Sequence, residues 1–99
     1  MLKAKKLDLI VANVVLEKTL EILDKLDANY TVFKDIMGKG ILGSKSAENV
    51  LTILSNTFII VVSNEKKIHE IIETMEPILE SFGGTYFLQD IEAWDKASL

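Results

Sequence analysis

Ninety-nine residues, 48% of them hydrophobic and 26% charged, supply enough chain for one compact core and carry a formal charge of −4 at pH 7. The lack of cysteine excludes disulfides, thiolate metal sites and cysteine nucleophiles, and the acidic balance excludes a broad phosphate-backbone surface, so no nucleic-acid partner is expected. No apolar run approaches the roughly 20 residues that span a bilayer, the longest being residues 58–62. A single domain over residues 1–99, cytoplasmic and not membrane-embedded, is the expectation. Lys3, Lys5 and Lys6 precede an apolar stretch as in a signal peptide, but Asp8 and Asn13 interrupt it and no small-residue cleavage site follows.

Residues 7–13 place Leu7, Leu9 and Val11 on one face with Ile10 and Ala12 behind them, which predicts a strand buried on both faces. Asn13 can cap the helix that follows, where Leu16, Leu20, Leu23 and Leu26 recur at helical spacing and Glu17, Lys18, Glu21, Asp24 and Lys25 take the wet face. Asp27, Ala28 and Asn29 end it, and residues 30–37 resume as a strand. Residues 46–55 fit a helical stripe (Ala47, Val50, Leu51, Leu54) and strand alternation (Val50, Thr52, Leu54), with a short helix favoured.

Residues 57–63 are the clearest strand, apolar on both faces. Asn64 caps a second helix with a stripe of Ile68, Ile71, Ile72, Met75, Leu79 and Phe82; Pro77 should kink or split it after Met75, and Gly83-Gly84 should stop it. Residues 85–93 supply the last strand, and residues 95–99 are expected to fray.

The order is β-α-β, loop, β-α-β, and the halves echo one another: Leu9-Ile10-Val11 answers Ile59-Ile60-Val61, and Phe33-Lys34-Asp35-Ile36 answers Leu88-Gln89-Asp90-Ile91. Two split βαβ units imply an α+β ferredoxin-like sandwich, a four-stranded antiparallel sheet with both helices on one face. Helices cover only one side of such a sheet, so strands apolar on both sides leave an exposed apolar face that a partner, most simply further copies of the chain, should cover.

The only histidine, His69, falls on the polar side of its helix, and Glu65, Glu70 and Glu73 form an acidic face without a compact ligand signature, so no metal is expected. Ser44, Ser46, Ser55 and Ser63 sit in no nucleophile pattern, and Asp35 and Asp90 end equivalent strands without a defined cleft, so the chain does not read as an enzyme. Trp94, beside Glu92, Asp95 and Lys96, is expected to dock against a neighbouring element or subunit. Residues 37–45, Met-Gly-Lys-Gly-Ile-Leu-Gly-Ser-Lys, join the two halves. That segment reads either as a surface connection or as a loop that turns backbone N–H groups and the charges of Lys39 and Lys45 toward an anion.

Residues 6–14 (Lys-Leu-Asp-Leu-Ile-Val-Ala-Asn-Val), a helix ending in Leu-Asp-Ala-Asn, Tyr30-Thr31-Val32 and Gly38-Lys39-Gly40 together resemble the nitrogen-regulatory PII signal-transduction family, and the second half follows the same plan. The resemblance implies a ferredoxin-like homotrimer that senses a small metabolite or nucleotide, such as an adenine nucleotide, in the cleft between subunits. It would regulate a transporter, enzyme or transcription regulator through the loop at residues 37–56. Its implied ligand-binding residues are Gly38, Lys39 and Gly40, with Lys34, Gly83 and Gly84 nearby.

Two departures mark a divergent member. The loop is shorter than in typical nitrogen regulators and lacks their modified tyrosine, and Gly83-Gly84-Thr85 stands where the family carries a longer, lysine-containing phosphate loop. The effector is then a different nucleotide or anion, or the pocket is lost. The alternative is a ligand-free interaction or assembly module of the same fold, similar to an ACT domain.

Overall fold

A computed structural model describes residues 1–36 and 56–99. Strand β1 (Leu2–Ala12) is followed by a 3-10 turn at Asn13–Val15, helix α1 (Leu16–Lys25), strand β2 (Tyr30–Ile36), strand β3 (Asn56–Ser63), helix α2 (Glu65–Phe82) and strand β4 (Gly84–Ala93). The strands form one sheet in the order β2-β3-β1-β4, antiparallel throughout. This is the expected ferredoxin-like layout, with the two echoing strands β1 and β3 side by side and Leu9 opposite Ile59.

Alternation explains which side the helices take. Leu7, Leu9 and Val11 of β1 and Ile59 and Val61 of β3 share one face and are fully buried, together with Leu23 of α1 and Ile68, Ile71 and Met75 of α2. In α1 the buried stripe runs through Thr19 and Leu23, with Leu16, Leu20 and Leu26 packed at its margins. The Thr19 hydroxyl donates to the Val15 carbonyl at 2.8 Å, which settles a buried polar group that would otherwise oppose folding.

Several expectations need correction. β1 begins at Leu2 rather than at residue 7, because its lysine-rich start pairs with β4 and Lys5 donates across that pair to Asp90. Asn13 does not cap α1: the 3-10 turn intervenes, and the helix has no side-chain cap. Helix α2 is not split at Pro77 but runs unbroken from Glu65 to Phe82. The ring lies on the exposed face, while Met75 and Leu79 on either side are buried, so packing outweighs the missing hydrogen bond.

Phe82 is 52% exposed and leaves the predicted stripe. Asn64 caps α2 as expected, its side chain accepting from the Lys67 N–H at 2.9 Å. Gly83, at φ 84° and ψ 166°, ends the helix in a conformation open essentially to glycine alone.

Each edge strand is fastened to a helix by a tyrosine. Tyr30 of β2 donates to Asp24 at 3.0 Å, and Tyr86 of β4 donates to Glu76 at 2.9 Å. These hydrogen bonds to carboxylates, reinforced by partial desolvation, hold both phenols above the ordinary value of 10.0. A pKa raised in the fold means that the fold binds the proton more tightly. The stabilisation is therefore complete below the unfolded value and is lost as pH rises through the folded one. Tyr30 and Tyr86 are the two tyrosines of the sequence and Trp94 does not ionise, so the alkaline rise in absorbance at 295 nm reports these two groups, and its midpoint is expected above pH 10. A midpoint at or below that value would contradict the assignment.

The sheet face away from the helices carries Ile10, Phe58, Ile60 and Val62, with Phe33 and Phe87 exposed towards its edges. Phe33 stacks on Phe58 with ring centroids 5.7 Å apart. The apolar open face anticipated from alternation is present. At one end it is crossed by residues 94–99, which do not fray: Asp95 pairs with the Met1 amino group, and the Ser98 carbonyl accepts from the Asn29 side chain. Ala97 and Leu99 line, with Thr31, Ile60 and Val62, an open cavity of 240 Å³. Trp94 is 70% exposed, so it is not docked on its own chain.

Candidate functional site

The strand ends converge at the other end of the sheet. Ala12 and Ile36 both pair with Asn56, and Val11 pairs with Gly84, so β1 and β2 finish where β3 and β4 start. Residues 37–55 connect Ile36 to Asn56 at this end. Gly38, Lys39 and Gly40, and the choice between helix and strand for residues 46–55, lie outside the described residues.

A bulge shapes the stem of β2. Between Phe33 and Ile36 the strand advances by one more residue than β3 does between Phe58 and Asn56, and Asp35 takes φ 57°. Aspartate tolerates this left-handed conformation better than most residues. The bulge directs the Asp35 carboxylate to Asn13, whose Nδ2 donates to it at 2.9 Å, while Asn13 Oδ1 accepts from the Thr57 hydroxyl at 2.5 Å. Thr57, Asn13 and Asp35 thus form a chain of hydrogen bonds from the start of β3, through the turn after β1, to the end of β2. Nothing in the residue pattern pointed directly to it, because Asn13 is equally suited to capping a helix. The adjacent polar pair Lys34-Asp35 inside an otherwise apolar strand was the available hint.

Lys34 is exposed and forms no ion pair among the described residues. Gly83 and Gly84 lie at the start of β4, at the same end of the sheet but along its opposite edge. Three strand spacings, about 14 Å, separate β2 from β4. One chain therefore does not bring Lys34 and the glycine turn together.

The two glycines also have structural work. The Gly83 N–H donates to the Leu79 carbonyl at 2.9 Å, closing α2. A Cβ on Gly84 would sit 2.4 Å from the Ile10 carbonyl oxygen. Exposed Val14 and Phe82 add apolar surface at this end. The described residues contain no group of three or more histidine, cysteine or acidic side chains suited to a metal, and no helix among them is long and apolar enough to cross a membrane.

A ferredoxin-like sheet with clamped loop stems at one end and an uncovered apolar face defines the class of scaffold. The nitrogen regulatory protein P-II family matches residues 4–96, and the chain belongs to that family. No curated protein matches it. Among solved structures, CPII from Thiomonas intermedia K12, a nitrogen regulatory PII-like protein bound to ADP, AMP and bicarbonate, is 25% identical with a TM-score of 0.73, covering 91% of this chain and 87% of that one. CPII bound to ADP, AMP and acetate superposes with a TM-score of 0.77 at 24% identity, over 93% of this chain and 89% of that one. A PII-like signaling protein from Thermus thermophilus is 15% identical, with a TM-score of 0.69 and coverage of 91% and 88%, and shares the fold.

Proposed function

We propose that this chain is a cytoplasmic, homotrimeric PII-like regulator, not an enzyme, that senses an adenine nucleotide or small anion between subunits. It reports to a target protein through residues 37–56. The observation that carries the reading is the separation of Lys34 from Gly83 and Gly84 along opposite edges of one sheet end. Neighbouring copies set edge to edge would bring a basic stem to a glycine turn and close the cleft that one chain leaves open.

Gly38, Lys39 and Gly40 would meet the anion through backbone N–H groups and charge. The ligands of CPII, at 25% identity, support a nucleotide together with a small anion. With Gly83 N–H engaged in ending α2, the glycine turn contributes less backbone donation than an open phosphate loop would.

Calorimetric titration with ADP, AMP, ATP, bicarbonate and 2-oxoglutarate tests this. Binding by at least one nucleotide, weakened by Lys39→Ala, is the expected result. The structural work of Gly83 and Gly84 favours a second reading, a ligand-free interaction module. An assembled protein that gives no heat with any of these compounds would establish that reading in place of the first.

A further inference from the structure

The open sheet face is largely apolar, with Thr31, Thr85 and Gln89 on its outer strands and one charged pair, Lys6 and Asp8, on the central strand β1. Asp8 lies on β1, a central strand, opposite Ile60 on one side and Phe87 on the other, with Lys6 and Ile10 as its neighbours on the same face. Its side chain is only 17% exposed, and that of Lys6 is 31% exposed. Lys6 Nζ stands 3.5 Å from Asp8 Oδ1, yet that oxygen is buried and accepts no hydrogen bond. Within one chain the pair is close but incomplete, leaving an acceptor on Asp8 and donors on Lys6 unused.

We infer that Lys6 and Asp8 form the charge contact by which one copy of the chain recognises another on this face, each Asp8 receiving a lysine from a neighbouring copy. The inference rests on the self-associating reading above and adds the residues that select a copy over another apolar partner. A surface covered by a purely apolar partner would leave Asp8 buried and unmatched, an unfavourable outcome. A second copy necessarily brings both an acid and a lysine on the same strand. Approaching copies also each carry a net charge of −4, so a local contact of opposite sign opposes their mutual repulsion and fixes register. Ile10, Ile60, Phe87 and the Phe33–Phe58 stack surround the pair with the apolar area that an interface core requires.

Sedimentation and native mass spectrometry of Asp8→Lys and Lys6→Asp test this, with the wild type run alongside. One variant face is wholly positive and the other wholly negative. Each alone should self-associate at least about tenfold more weakly than wild type, and an equimolar mixture should recover assembly in species containing both chains. Recovery only on mixing separates a contact between copies from one within a chain.

Asp8→Asn keeps the side-chain shape if a reversal fails to fold, and it too should weaken association about tenfold. Variants that assemble as the wild type does, or a mixture without mixed species, would overturn the inference and leave the oligomeric reading intact. A monomeric wild type would remove the oligomeric reading itself.

Discussion

Replacing Gly84 by alanine should destabilise the protein by about 3 kcal/mol or more, the sum expected of a disallowed backbone conformation and an overpacked contact. Gly84 adopts φ 122°, and an added Cβ would stand 2.4 Å from the Ile10 carbonyl oxygen and 2.8 Å from Leu79 Cδ2. The leucine can rotate away. Ile10 cannot, because β1 is held by hydrogen-bonded partners on both sides. For a domain of this size the loss corresponds to a fall in Tm of roughly 15 °C. Thermal or urea denaturation measures it, and an unchanged midpoint would show that β4 does not approach β1 this closely.

Truncating Leu9 to alanine should cost about 3–5 kcal/mol, a large share of the roughly 5–15 kcal/mol typical of a folded domain. Leu9 is fully buried, with Ile59 and Tyr86 as its strand partners and the helices above it. Its deletion leaves a cavity at the point where both halves of the chain meet, and β1, central in the sheet, has little freedom to collapse into it. Ile10, one residue on, faces the open side and is only half-buried. Ile10→Ala should therefore cost about 1 kcal/mol in the isolated chain, with a larger loss in protein concentrated enough to assemble. Urea melts of both variants at two concentrations measure the contrast. Equal effects would mean that the two faces of β1 are equally covered.

The contrast between Leu9 and Ile10 also shows what the residues disclose by themselves. Period-two alternation in β1 and β3, with two helical stripes between strands, was enough to predict the sheet, the helices on one face and the uncovered other face. Interactions between distant segments were not legible. Lys3 and Lys5 fall outside the first strand that alternation predicts because their pairing with β4 depends on residues 90–93. Asn13 looked like a cap because its partners Asp35 and Thr57 arrive only when the sheet forms. Pro77 looked disruptive because local propensity omits the burial of Met75 and Leu79.

For the candidate site, glycine and lysine content drew attention to the loop with Gly38, Lys39 and Gly40, and the family resemblance added Lys34, Gly83 and Gly84. Composition could not reveal that Gly84 answers a steric demand at Ile10, or that Lys34 and the glycine turn lie at opposite edges.

The terminal segment has a mechanical meaning. Followed through its strands alone, the sheet is a ribbon whose outer members, β2 and β4, share no ladder. Residues 94–99 leave β4 and reach Asn29, immediately before β2, so the ribbon is buckled like a belt across one end. Twisting one edge there must load the other. At the end bearing residues 37–55 the tie is of another kind: the hydrogen-bond chain of Thr57, Asn13 and Asp35 links β3, β1 and β2 side by side rather than joining the two outer edges.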